Sequence, residues 1–202
     1  MVRTLLLVRH GETEWNKEGR FQGQRDIPLN ELGRAQARAL RARLEVAEHA
    51  HLFDDARTAV LSSDLRRAHE TAEIAFGLPG RTLHVHRDLR EFHYGVFEGL
   101  TRHDLDERYP GALAEWARGD RSRPIEGGES RDGVQARALA AVLGFLAEVP
   151  QPCVVIVGHG GVMRQLLSTC FDRDEPFTLS MANTVAHQVR VERSAWSYVG
   201  QL

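Results

Sequence analysis

The chain has 202 residues, a formal net charge of −2, and 42 % hydrophobic against 27 % charged residues. Those totals fit one globular domain over 1–202 and exclude a disordered or fibrous chain, while the near-neutral balance excludes a global basic field that would recruit nucleic acid or a membrane. Two cysteines, Cys153 and Cys170, lie in apolar segments without Cys-x-x-Cys spacing, which speaks against paired metal or redox chemistry.

The N-terminal "MVRTLLLV" is too short for a secretory apolar region, and no apolar run reaches the roughly 18 residues of a membrane span. A soluble, cytoplasmic protein is the expectation. Residues 3–9 form an uninterrupted Leu/Val run, as a buried parallel strand would. Asn30 is placed to cap a helix over 30–49, with Leu32, Ala35, Ala39, Leu40, Leu44 and Ala47 along one stripe. A strand at 58–63 leads to a helix over 64–76, with Ser63 as its cap and Glu70 and Glu73 on its outer side.

A third strand is expected at 82–86. Residues 87–130 are rich in glycine and proline, and read as a cap with one helix near 101–117. A long helix over 130–148, a strand at 153–157, a helix over 161–171 and strands near 185–191 and 196–199 complete the chain. The alternation predicts an α/β fold, a three-layer α/β/α sandwich around a mostly parallel sheet, with a small loop and helix cap over the site.

Two of the strands end alike, "LLLVRHG" at 5–11 and "VVIVGHGG" at 154–161. In open α/β sheets ligands gather at the carboxyl ends of the strands, so neighbouring strands would bring His10 and His159 to one pocket. Gly11 and Gly160 would allow tight turns and a close backbone approach. A metal centre would need a third ligand and a spacing such as His-Glu-x-x-His, which is absent; His84 and His86 on one strand face read as surface residues. Arg66 and Arg67 open a helix, where a cation opposes the helix dipole unless an anion repays it. Histidines beside guanidinium forks suit a phosphoryl group.

The ordered set "RHGETEWN", "GRFQGQRDIPLNELG", "SSDLRRAHETAE", "LREFHYGVFEG" and "VVIVGHGG", spread over residues 9–161, resembles the histidine phosphatase superfamily, also called the phosphoglycerate mutase-like family. The resemblance implies that His10 takes up the phosphoryl group and that Arg9 and Arg67 hold it. Arg67 is preferred to Arg66 because it directly precedes the Ala-x-x-Thr-Ala run. It further implies that His159 is the second histidine and that Glu91 donates the leaving-group proton. Asn16, Gln22, Gly23, Tyr94 and Gly160 are the implied substrate contacts. No metal and no cofactor is implied; the partner is a small phosphate ester, and a homodimer is one assembly that the family offers.

The family divides into hydrolases and sugar-phosphate mutases. Mutases of this kind carry an insert where this chain has the short "WARGDRSRPIEGGES" (116–130). They also have a lysine, where this chain shows Arg102, and then an arginine pair, where only Arg118 stands near Trp116. The reading is therefore a metal-independent phosphomonoester hydrolase working through phosphohistidine on a sugar phosphate, a phosphoglycerate-type acid or a ribazole-type phosphate. The alternative is a cofactor-dependent phosphoglycerate mutase. Phe92, His93, Tyr94, Phe97 and Trp116 are expected at the mouth of the site, although packing would explain each equally. A binding module built on a dead pocket would have lost His10, Arg9, Arg67, Glu91 or His159, and all are present.

Overall fold

Leu5, Leu6, Leu7 and Val8 are all buried, so β1 (Val2–Arg9) has apolar neighbours on both faces, as a central strand demands. The computed structural model describes residues 2–171, 178–193 and 195–202. β1 pairs in parallel with β4 (Cys153–Gly158), with Arg9 opposite Gly158. β2 (Thr58–Ser62) pairs in parallel with β4 and with β3 (Leu83–Val85). On the other side β5 (Ala186–Glu192) and β6 (Ala195–Gln201) add antiparallel strands, giving the order β3-β2-β4-β1-β5-β6.

Helices cover both faces. α2 (Glu31–Leu44) and α3 (Arg66–Phe76) bury Leu40, Leu44, Ala72 and Phe76 against Leu6, Val8, Val60 and Val155. α6 (Arg131–Glu148) and α7 (Gly160–Leu167) bury Val142, Phe145 and Leu166 against Leu5, Leu7, Val154 and Ile156. The alternating faces of β1 thus feed two separate apolar layers. A third cluster, around Phe97, Leu105 and Ile125, forms the heart of the segment that carries α4 (Arg102–Arg108) and α5 (Ala112–Arg118).

The expected sandwich and its mostly parallel sheet are present, while several local expectations are corrected. α2 stops at Leu44, and a 3₁₀ segment, Ala47–Phe53, replaces its expected end. Its buried stripe is Gly33, Ala37, Leu40 and Leu44; Leu32, Ala35 and Ala39 are exposed, and the side chain of Ala47 lies outside those described. Ser63 does not cap α3, whose N-cap is Leu65. Ser63 Oγ accepts the N–H of Leu65, and the carboxylate of distant Asp26 accepts that of Arg66. The single helix expected at 101–117 is two, because Tyr109-Pro110-Gly111 breaks it with Gly111 at φ 77°. A short α1 (Glu14–Lys17), closed by a Thr13–Asn16 capping box, was not expected. The helix expected to run to 171 ends at Leu167 and continues as a 3₁₀ turn, Ser168–Cys170. Among the described residues, no helix is long and apolar enough to cross a membrane.

Candidate active site

The parallel pairing of β1 and β4 places His10 and His159 one step beyond adjacent strand ends, where the His10 N–H donates to Gly158 O at 3.0 Å. Their ring centroids lie 5.2 Å apart, and both side chains are buried. The Gly11 carbonyl can only accept, so its 2.6 Å contact assigns the proton to His10 Nδ1 and leaves Nε2 with the free lone pair. Burial first, then the charges of Arg67 and Arg9, hold His10 well below the ordinary histidine value. His159 is shifted the same way, again by burial first. Its two ring nitrogens have no protein hydrogen-bond partner among the described residues.

Arg67 is 1 % exposed, an unusual place for a guanidinium. Its Nη1 donates to Arg25 O at 2.7 Å and its Nη2 to Gly23 O at 2.8 Å, which fixes the fork. Burial pushes its pKa down to about 10. Neighbouring Arg66 is exposed and lies on the outer side of the helix start. Arg9, at the tip of β1, donates through Nη1 to Met181 O, and burial lowers it too. The Nε atoms of both Arg9 and Arg67 have no hydrogen-bond partner among the described residues. Together with His159 they leave a set of buried donors for an anion.

Glu91 occupies the N-terminus of α7. Its Oε2 accepts Gly161 N–H at 3.0 Å, and its Oε1 accepts Val162 N–H at 3.2 Å and Phe92 N–H at 2.9 Å. α7 has no side-chain cap from its own N-cap residue, His159, so Glu91 supplies one from a segment distant in sequence. The glycine that this requires is Gly161, where a Cβ would stand 2.4 Å from Glu91 Oε1. The Gly of "RHG" answers another constraint: a Cβ on Gly11 would meet the Gly33 carbonyl oxygen at 2.4 Å. Gly11 thus brings the loop after β1 against the first turn of α2, rather than making room for a ligand.

Two connected compartments share Arg9, Phe21, Glu91, Tyr94 and Arg102. The inner one, about 280 Å³, also takes in His10, Asn16, Gln22, Gly23 and Arg67. The outer one, about 770 Å³, reaches Trp116, Arg121, Arg131, Gly160 and Arg164. His159 lies buried beside His10 rather than on either wall. The structure thereby brings the implied site residues to one place, with Gly160 on the outer wall only. Asn16 is set by its capping box, and its Oδ1 receives Asn183 Nδ2 at 3.4 Å. Buried Gln22 has an Oε1 without a hydrogen-bond partner among the described residues.

The expected aromatic mouth is partly corrected. Phe97, 3 % exposed, is a buried packing residue away from both compartments, while Phe92, Tyr94 and Trp116 line the outer one, Phe92 with only 1 % of its surface exposed. Phe92 stacks on Tyr94 at 5.5 Å between centroids. His93 faces its own loop, its Nδ1 accepting Gly95 N–H. His84 packs on Phe145, His86 Nδ1 accepts Asp88 N–H, and no cluster of three metal-ligating side chains occurs among the described residues.

Sequence reasoning missed the segment 181–185, which closes the site from the β5 side. Met181 supplies the carbonyl under Arg9, and Asn183 Nδ2 donates to His10 O at 2.9 Å. Nothing local marks these residues, because the Met181 carbonyl and the Asn183 side-chain amide meet their partners only through the β1–β5 pairing.

A family model described as the histidine phosphatase superfamily, branch 1, matches residues 5–201. The glucosyl-3-phosphoglycerate phosphatase of Mycobacterium tuberculosis is 38 % identical over 173 residues, covering 82 % of this chain and 74 % of the relative. A solved structure of a mycobacterial glucosyl-3-phosphoglycerate phosphatase with VO3 superposes with a TM-score of 0.84 at 33 % identity, covering 98 % of each chain. A probable phosphoglycerate mutase of Salmonella paratyphi C is 38 % identical over 82 % of this chain and 73 % of its own length. A metal-independent phosphoserine phosphatase of Arabidopsis thaliana is 37 % identical over 82 % of this chain and 67 % of its own length.

Proposed function

The chain belongs to the histidine phosphatase superfamily, branch 1, and on that premise we propose that it hydrolyses phosphomonoesters of small metabolites through a phosphohistidine on His10, without a metal ion. The observation that carries this reading is the buried pair of imidazoles 5.2 Å apart, set beside the donors of Arg9 and Arg67.

In the first step His10 Nε2 attacks phosphorus, the ester P–O bond breaks, and Glu91 gives its proton to the departing oxygen. The shift of His10 toward the neutral imidazole keeps that lone pair available at neutral pH. Arg9 and Arg67 balance the charge on the equatorial oxygens, which is the main demand of phosphoryl transfer. In the second step water attacks the phosphohistidine, with Glu91, now a carboxylate, accepting its proton. Phosphate leaves, and Glu91 has regained the proton it gave up in the first step.

The relatives' names point to phosphorylated three-carbon acids and their sugar derivatives as the first substrates to try. An outer compartment walled by Arg102, Arg121, Arg131 and Arg164 supports an acidic group there. We place the reaction in the cytoplasm, where the free thiols of Cys153 and Cys170 would stay reduced. The second reading, a mutase, has the name of the Salmonella relative in its favour.

One assay separates the two. Purified protein is given 3-phosphoglycerate, phosphoserine and simple sugar phosphates, with and without a bisphosphoglycerate primer, while phosphate release and isomerisation are both followed. Phosphate release that needs no primer is expected. Primer-dependent isomerisation with little phosphate release would establish the mutase instead.

A further inference from the structure

Glu91 is aimed by groups that touch neither compartment. Arg137, on α6, donates through Nη1 to Asp88 O at 2.6 Å and to Arg90 O at 2.8 Å. Its Nη2 donates to Glu91 O at 3.0 Å and to Glu129 Oε2 at 2.9 Å, and its Nε to Glu129 Oε1 at 2.8 Å. All five guanidinium N–H groups are thereby used. Glu129 also accepts the backbone N–H of His93 at 2.8 Å and Gln24 Nε2 at 3.2 Å. Gln24 Nε2 reaches Glu91 O as well, at 3.3 Å.

The backbone is therefore held on both sides of Glu91, by carbonyls at 88, 90 and 91 and an N–H at 93. Burial opposes the charge of Glu129, but Arg137 and the His93 N–H more than offset it and keep Glu129 ionised. An ionised, fully bonded pair of this kind has one preferred geometry. Ordinary packing of α6 needs no such pair, since its buried face is already apolar at Val134, Ala138, Ala141 and Val142.

We propose that Arg137, Glu129 and Gln24 form a positioning unit that sets the placement of Glu91 for proton transfer to the leaving group. This rests on the reading of Glu91 as the proton donor. A misplacement of about 1 Å in a reacting group can lower a rate by roughly 10²-fold. None of the three lines either compartment, and their hydrogen bonds reach the site through the segment that carries Glu91. An alkyl phosphate needs the proton, because its leaving alkoxide is a poor one; a 2,4-dinitrophenyl phosphate needs almost none.

The test compares kcat/KM, which reports phosphoryl transfer to His10, for an alkyl phosphate and for 2,4-dinitrophenyl phosphate. Glu91→Gln is expected to lose on the order of 10²–10⁴-fold on the alkyl ester and far less on the aryl ester. Arg137→Gln is expected to show the same split, roughly 10–100-fold on the alkyl ester with the aryl ester nearly unchanged. Arg137→Lys keeps the charge beside Glu129 but has three donors in place of five, so it should show a smaller split. It also serves if the Gln variant does not fold. Equal losses on both esters in the Arg137 variants would overturn the positioning role while leaving the reading of Glu91 intact. No split in Glu91→Gln itself would remove the proton-donor role, and the positioning role with it.

Discussion

The carboxyl group of Glu91 caps the helix that begins just after His159, its Oε2 taking the Gly161 N–H at 3.0 Å. Together with the Val162 N–H on Oε1, this joins the segment carrying the proposed proton donor to the strand end carrying the second histidine by two hydrogen bonds. Gly161 is what makes this approach possible.

Gly161→Ala tests that contact. A Cβ 2.4 Å from Glu91 Oε1 and 2.7 Å from a Phe92 ring carbon must displace one of them. The expected result is a stability loss of about 1–3 kcal/mol in denaturant unfolding. A fall in kcat on alkyl phosphates should accompany it. Unchanged activity with unchanged stability would mean that Glu91 does not depend on this seat.

Arg67→Lys tests the buried fork. Lysine keeps the charge but cannot bridge Gly23 O and Arg25 O while presenting Nε to the cavity. The loss in kcat/KM is expected to be roughly 10²–10³-fold, the scale of removing one preorganised donor to a developing anion. Arg66→Lys, on an exposed side chain, should change little. Steady-state kinetics on both variants give the comparison.

The histidines make stability depend on pH. His10 and His159 are held well below 6.5 in the folded chain, by burial first and nearby arginines second, whereas unfolded histidines titrate near 6.5. Below that value the unfolded chain binds more protons, so stability is full above about pH 6.5 and falls as the pH drops toward the folded values. Each histidine contributes a slope of up to about 1.4 kcal/mol per pH unit. Thermal unfolding between pH 7 and 5 should show the fall, and His10→Gln should flatten it. A slope unchanged by His10→Gln would contradict the neutral, buried His10.

The sandwich was legible because β1 and β4 read as unbroken apolar runs and the helices as amphipathic stretches between them. The His-Gly strand ends, together with Arg67 and Glu91, were legible because each lies in a short, ordered motif. What was hidden acts over long distances in the sequence. Asp26 supplies an N–H acceptor at the start of α3, the 181–185 segment supplies carbonyls and an amide at the tip of β1, and Arg137 holds a loop some 46–49 residues away. The α2 stripe was misjudged because Gly33 is a buried position, and a periodicity built on leucine and alanine overlooks it.

The most direct measurement is rapid-quench trapping of labelled enzyme during turnover of a ³²P phosphomonoester in EDTA, with wild type beside His10→Ala. Wild type should turn over and hold label on His10 in a form stable to alkali and lost in acid. His10→Ala should carry no label and lose activity on the order of 10⁴-fold or more, the scale of removing a covalent nucleophile. Turnover that persists in His10→Ala, or that stops in EDTA, would contradict a metal-independent phosphohistidine mechanism.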